Sequence, residues 1–110
     1  MIPLITEDDV RRLLPMPAAI DCMESVFRGL ATGETLNQSR RRLALPGGPM
    51  LHSMAGAHGK YFGTKIYSTH PKHGAHFLFV LYSAASARPR PLALFEANAL
   101  GQIRTGAASG

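Results

Sequence analysis

The feature that most constrains this chain is a change of periodicity near Arg40. Downstream of it, runs rich in apolar and β-branched residues succeed one another: Arg42 to Leu45, Met50 to Met54, Tyr61 to Tyr67, Phe77 to Tyr82 and Pro91 to Glu96. Each has the length and composition of a strand. The separators are Pro46-Gly47-Gly48-Pro49, Ala55 to Lys60, His70-Pro71-Lys72-His73-Gly74 and Ser83 to Pro91. They are built of turn formers and are too short to carry crossover helices, so neighbouring strands are expected to pair antiparallel.

Upstream, the period is helical. Thr6 can cap a helix opened by Glu7, Asp8 and Asp9, whose charges suit the positive first turn, while Val10, Leu13 and Leu14 supply an apolar side. Pro15 ends it, and Pro17 suits the first turn of a second helix. There Ile20, Met23, Val26, Phe27 and Leu30 recur at helical spacing until Gly33. The final strand leads into a helix near Ala99, whose small residues fit a helix pressed against another backbone. The predicted fold is α+β, with two N-terminal helices packed on a mostly antiparallel open sheet and a closing helix.

With 110 residues, 12 Lys plus Arg, 7 Asp plus Glu and one cysteine, the chain reads as one domain spanning 1–110. A lone Cys22, read as a small core residue on the second helix, excludes an internal disulfide framework and suits a reducing cytoplasm. The first residues lack the pattern of a secretory signal, and no apolar stretch approaches the roughly 18 residues of a membrane span, so no membrane partner is expected and a cytoplasmic location is. The formal charge of +5 comes mainly from Arg40-Arg41-Arg42 and Arg88-Pro89-Arg90. Two short clusters without interleaved aromatics do not make a nucleic-acid groove, and none is expected to bind.

Five histidines stand at 52, 58, 70, 73 and 76. The His70 to His76 tract carries Lys72 within it and no carboxylate or thiolate, so a metal site is not expected. Gly101, Gly106 and Gly110 lack the spacing of a phosphate-binding turn and read as packing glycines. Ser53, Ser68, Ser83 and Ser109 lack a nucleophile elbow, so no catalytic residue is assigned in this chain. Three cations remain in restrictive settings: Arg40 before a strand, Lys65 inside Gly63-Thr64-Lys65-Ile66-Tyr67, and Arg104 at the start of a small-residue helix whose free amides also favour negative charge. Such groups can hold a small carboxylate, or pair internally with Glu96 or Asp21, and spacing alone leaves both open.

The strings Phe62-Gly63-Thr64-Lys65-Ile66-Tyr67-Ser68-Thr69-His70-Pro71, Pro91-Leu92-Ala93-Leu94-Phe95-Glu96-Ala97-Asn98 and Ile103-Arg104-Thr105-Gly106-Ala107-Ala108-Ser109-Gly110 resemble, in order and spacing, the ornithine cyclodeaminase and mu-crystallin family. The likeness covers the whole chain but only the amino-terminal third or so of a full-length member, stopping before the Rossmann domain. It implies a substrate-binding domain whose sheet extends across a homodimer, with NAD or NADP bound mostly by the separate domain and not tightly by this chain. Members interconvert amino acids and imines by hydride transfer between the nicotinamide and the substrate α-carbon. By motif, Arg40, Lys65 and Arg104 take the positions that bind the carboxylate of a small amino or imino acid, and Arg104 also lies beside the cofactor.

There are departures from the family pattern. His52 stands where ornithine-acting members place an acid, and Phe77 where some offer a threonine hydroxyl to the cofactor. The proton-shuttling aspartate of cyclodeaminases would lie in the other domain. The resemblance thus implies the substrate-binding portion of an imine reductase, amino-acid dehydrogenase or cyclodeaminase. The alternative is a non-catalytic small-anion-binding or dimeric interaction module derived from it.

Overall fold

A computed structural model describes residues 1–85 and 87–109, and the side chain of Ser109 is not described. The readings that fall on Ser86, Gly110 and the Ser109 hydroxyl therefore lie outside the described residues. The elements run β1 (Leu4–Ile5), α1 (Glu7–Leu13), α2 (Met16–Thr32), β2 (Thr35–Asn37), β3 (Arg41–Ala44), β4 (Met50–His58), β5 (Tyr61–His70), β6 (Gly74–Ser83), β7 (Ala93–Glu96) and α3 (Asn98–Ser109). The strands form one open sheet in the order β1-β7-β6-β5-β4-β2, with β3 also on β4. Every pairing is antiparallel except β1 on β7, so the fold is α+β as the sequence predicts.

Local chemistry accounts for the helix ends. The Thr6 hydroxyl accepts from the Asp9 amide at 3.2 Å, and the Asp9 carboxylate accepts from the Thr6 amide at 3.0 Å, closing a capping box on α1. These bonds stabilise the Asp9 carboxylate and draw its pKa below the usual value. Pro15 sits in extended conformation at the N-cap position of α2 without a side-chain hydrogen bond, Pro17 lies in its first turn, and Gly33 ends it in the left-handed conformation at φ 88°.

Three sequence readings need correction. The 55–60 separator is mostly strand: β4 runs on to His58 and turns at Gly59 and Lys60. Ala-Gly-Ala-His has little β propensity, but its backbone is held between β2 and β5, and pairing overrides propensity. The short strands β1 and β2 were not expected, because pairing with distant partners creates them. Cys22 is exposed, because α2 leans on α3 and β2 with one flank only.

The helices cover one face of the sheet. α3 lies against α1, α2 and β6, and its small residues permit close approach. Val10, Ala19, Ala93, Ala97, Ala99 and Ala107 are the buried aliphatic side chains, and a Cβ on Gly106 would meet the Met16 methyl carbon at 3.1 Å. The opposite face is bare and apolar. Leu36 is 65% exposed and Leu43 58%, and Leu51, Phe62 and Ile66 lie open beside them. No helix among the described residues is long and apolar enough to cross a membrane.

Candidate functional site

The pairing register lays out the site. Across β4, β5 and β6, His52, Tyr67 and Phe77 form one row; Met54, Lys65 and Phe79, continued by Phe95 on β7, form the next. Side chains alternate faces along a strand, so both rows share the helix-covered face. Arg42 is paired with His52 and shares that face, whereas Arg41 is paired with Ser53 and belongs to the other.

The edge strand is irregular just before the arginine triplet's pairing with β4. Asn37 pairs with Gly56 and Arg41 with Ser53, so three residues, Gln38 to Arg40, span only two partner positions, Met54 and Ala55. This is a β-bulge, the device by which an edge re-aims a side chain. Odd residues of β2 share a face with Gly56, while even residues of β3 share that same face with His52.

Lys65 is half-buried, its ammonium 5.5 Å from the ring centres of both Tyr67 and Phe77. Burial first, then the charges of Arg104 and Arg40, lower its pKa below the ordinary lysine value. Ion pairs run along the helices, Arg11–Asp8 and Arg12–Asp9 on α1 and Arg28–Glu24 on α2. None neutralises Arg40, Lys65 or Arg104. Glu96 instead accepts from the Glu7 amide at 3.0 Å, and Asp21 is exposed on α2.

Lys65 and Arg104 line the same two cavities. One, of about 440 Å³, runs between α2, β2, β4 and α3; the other, of about 700 Å³, opens on the side of Phe77, Asn98 and Gln102. Ala97 and Gly101 are the other residues common to both. Arg40 lines neither, and it acts through its field on Lys65 and His52.

The placement of Arg104 depends on a contact that sequence reasoning missed. Arg104 lies in the middle of α3, not at its start, and the amides at that start are already taken. The Glu7 carboxylate accepts from the amides of Asn98 at 2.9 Å and Ala99 at 2.7 Å. The Asn98 side chain accepts from the Phe77 amide at 3.2 Å, tying the helix to β6. The free-amide contribution to an anion site is therefore withdrawn: α3 supplies Arg104, and Glu7 fixes α3.

His52 is the buried polar residue of the site, 7% exposed. Its ring stacks on Tyr67 at 4.4 Å, Nε2 is 3.0 Å from the Thr69 hydroxyl, and Nδ1 has no hydrogen-bond partner. Desolvation, then Arg42 and Arg40, hold its pKa below the usual histidine value. A neutral imidazole therefore stands in a cationic surround. Elsewhere, the His70 and His73 rings lie 4.7 Å apart, and among the described residues no three His, Cys, Asp or Glu side chains are placed to hold a metal ion.

The chain matches no protein-family model and no curated protein. Solved structures do match. The probable ornithine cyclodeaminase from Bordetella pertussis Tohama I superposes with a TM-score of 0.90 at 26% identity, covering 99% of this chain and 34% of that one. This is the fold of the ornithine cyclodeaminase family. An archaeal alanine dehydrogenase dimer with bound NAD gives a TM-score of 0.86 at 27% identity, over 97% of this chain and 34% of that one. The Thermococcus litoralis Δ1-pyrroline-2-carboxylate reductase, in complex with NADH and L-proline, gives 0.87 at 22% identity over 98% and 36%, and shows the fold alone. The chain spans about a third of the length of the solved structures it matches.

Proposed function

We propose that the chain is the substrate-binding portion of an NAD(P)-dependent reductase or dehydrogenase of ornithine cyclodeaminase type, in which Lys65 and Arg104 hold the carboxylate of a small amino or imino acid and Arg40, outside both cavities, adds its positive field. One observation carries this reading: two cations that no carboxylate neutralises line the same two cavities. A guanidinium holds a carboxylate through paired donors, and Lys65 adds a point charge, fixing the α-carbon relative to the α3 face.

The cofactor fits at that face. Arg104 and Gln102 border the larger cavity, and a Cβ on Gly101 would meet nothing within 4 Å, so an anionic group has both a donor and room. Arg104 and Gln102 would border a nicotinamide cofactor held mainly by a separate domain, which would supply the hydride. Arg104 is the residue of this chain that would touch it, and no residue here is assigned to proton transfer. The apolar outer face of the sheet supports a homodimer formed through that sheet.

Calorimetric titration with acetate and L-proline tests the reading. Lys65→Ala should weaken binding about ten- to over a hundredfold, the effect of removing a charged partner worth about 1.5–3 kcal/mol. Arg41→Ala, on the opposite face, should change little, and NADH should show no saturable binding in the micromolar range. Unchanged affinity in Lys65→Ala would overturn the carboxylate site. Micromolar NADH binding would overturn the assignment of the cofactor to another domain.

A further inference from the structure

We infer that the smaller cavity makes this site selective for carboxylates with a bulky apolar tail, of branched-aliphatic or aromatic size, over those with a methyl or a cationic tail. The inference rests on the carboxylate reading above and deepens it. The cations of the cavity, Lys65 and Arg104, are shared with the larger cavity, and its other walls include Met23, Val26, Phe27, Leu30, Met54 and Leu100. None of its lining residues is Asp or Glu. The lining polar side chains other than the two cations are Thr35 and Asn37, and the Thr35 hydroxyl is engaged with His58 Nδ1 at 2.6 Å.

Size and charge both point the same way. At about 440 Å³ the cavity lies within the ordinary range for organic ligands, roughly 300–1,000 Å³, and a methyl tail would leave most of its apolar wall uncovered. A leucine- or phenylalanine-sized tail covers that wall, and the burial of such a group corresponds to roughly ten- to a hundredfold in affinity. A tail ending in a second ammonium finds no counter-ion. It would lose its hydration and meet Lys65 and Arg104, both of its own sign. His52 does not relieve this, because it does not line the cavity and an imidazole carries no negative charge in either protonation state.

The test is calorimetric titration of the chain with acetate, 4-methylpentanoate, 3-phenylpropanoate, 5-aminopentanoate and the uncharged 4-methylpentan-1-ol. The two bulky acids should bind at least tenfold more tightly than acetate, 5-aminopentanoate no more tightly than acetate, and the alcohol at least tenfold more weakly than its acid. Equal affinity for acetate and the bulky acids would overturn the selectivity and leave the carboxylate site standing. Equal affinity for the alcohol and its acid would overturn the carboxylate site, and absence of binding by any probe would overturn both.

Two variants locate the effect. Leu30 is half exposed, so Leu30→Glu is tolerable to the fold and should shift preference towards 5-aminopentanoate. Gly101→Leu improves helix propensity while filling part of the cavity, and should weaken 3-phenylpropanoate at least tenfold more than acetate. If Gly101→Leu affects both acids equally, the tail does not lie in this cavity.

Discussion

Replacing Glu7 by alanine should loosen the candidate site without touching it. The Glu7 carboxylate accepts the first two amides of α3, at 2.9 and 2.7 Å, from 91 and 92 residues away in sequence. A hydrogen bond to a charged acceptor contributes about 1.5–3 kcal/mol. Glu7 is only half-buried, and water takes over part of the role, so the lower bound applies to each bond and the pair contributes about 3 kcal/mol. For a domain near this size, 1 kcal/mol moves the melting temperature by about 4–8 °C, so Glu7→Ala should melt roughly 12–24 °C lower. Glu7→Gln keeps one acceptor oxygen and should lose about half as much. Hydrogen exchange measured by mass spectrometry should accelerate at the amides of 98–101, and acetate affinity should fall because α3 carries Arg104. A Glu7→Ala protein that melts within about 2 °C of wild type, with unchanged exchange over 98–101, would refute the claim that Glu7 holds this helix.

Three further outcomes follow from the geometry. The pKa of His52 is depressed in the folded state, so between pH 6.5 and that lower value the unfolded chain binds the proton first; stability should fall as pH falls through this window, and urea midpoints at pH 8 and 5 should converge in His52→Phe. Gly63→Ala would drive a methyl into the Val80 carbonyl and to 2.7 Å from the Phe79 ring, so a loss of about 1–3 kcal/mol is expected in denaturant unfolding. On the bare face of the sheet, Ile66→Glu should turn a dimer into a monomer by sedimentation velocity while leaving the melting curve of the subunit largely intact. A wild-type monomer at all concentrations would refute the sheet-mediated dimer.

The sequence made most of the strand cores legible because they are dense in β-branched and aromatic residues, whose propensity agrees with their pairing. It hid β1 and β2, because two or three residues such as Leu4-Ile5 become a strand only once β7 lies beside them. Lys65 was legible as a cation among small and apolar neighbours. The arginine triplet was not resolvable, since a bulge over Gln38 to Arg40 exists only relative to the partner strand. Glu7 was read correctly as part of a helix start, where its charge suits its own first turn. Its longer-range role at the start of α3 leaves no local trace. His52 stood out only as a departure from a family pattern, and its unpaired Nδ1 becomes visible only when the row His52, Tyr67 and Phe77 is assembled.

The seam where Leu4 and Ile5 lie beside Leu94 and Phe95, and where Glu7 closes on Asn98 and Ala99, sets an order on folding during synthesis. The β4-β5-β6 meander can close hairpin by hairpin as it leaves the ribosome, each strand meeting the one just before it. The residues that emerge first have no partner until those near 93–99 follow, about 5–20 s later at ordinary translation rates. Through that interval β1 and α1 hold Leu4, Ile5 and Val10 in water, within reach of chaperones and proteases. The helix that bears Arg104 therefore acquires its final anchor from the oldest part of the nascent chain, and a slow or paused ribosome would prolong the time in which the two are apart.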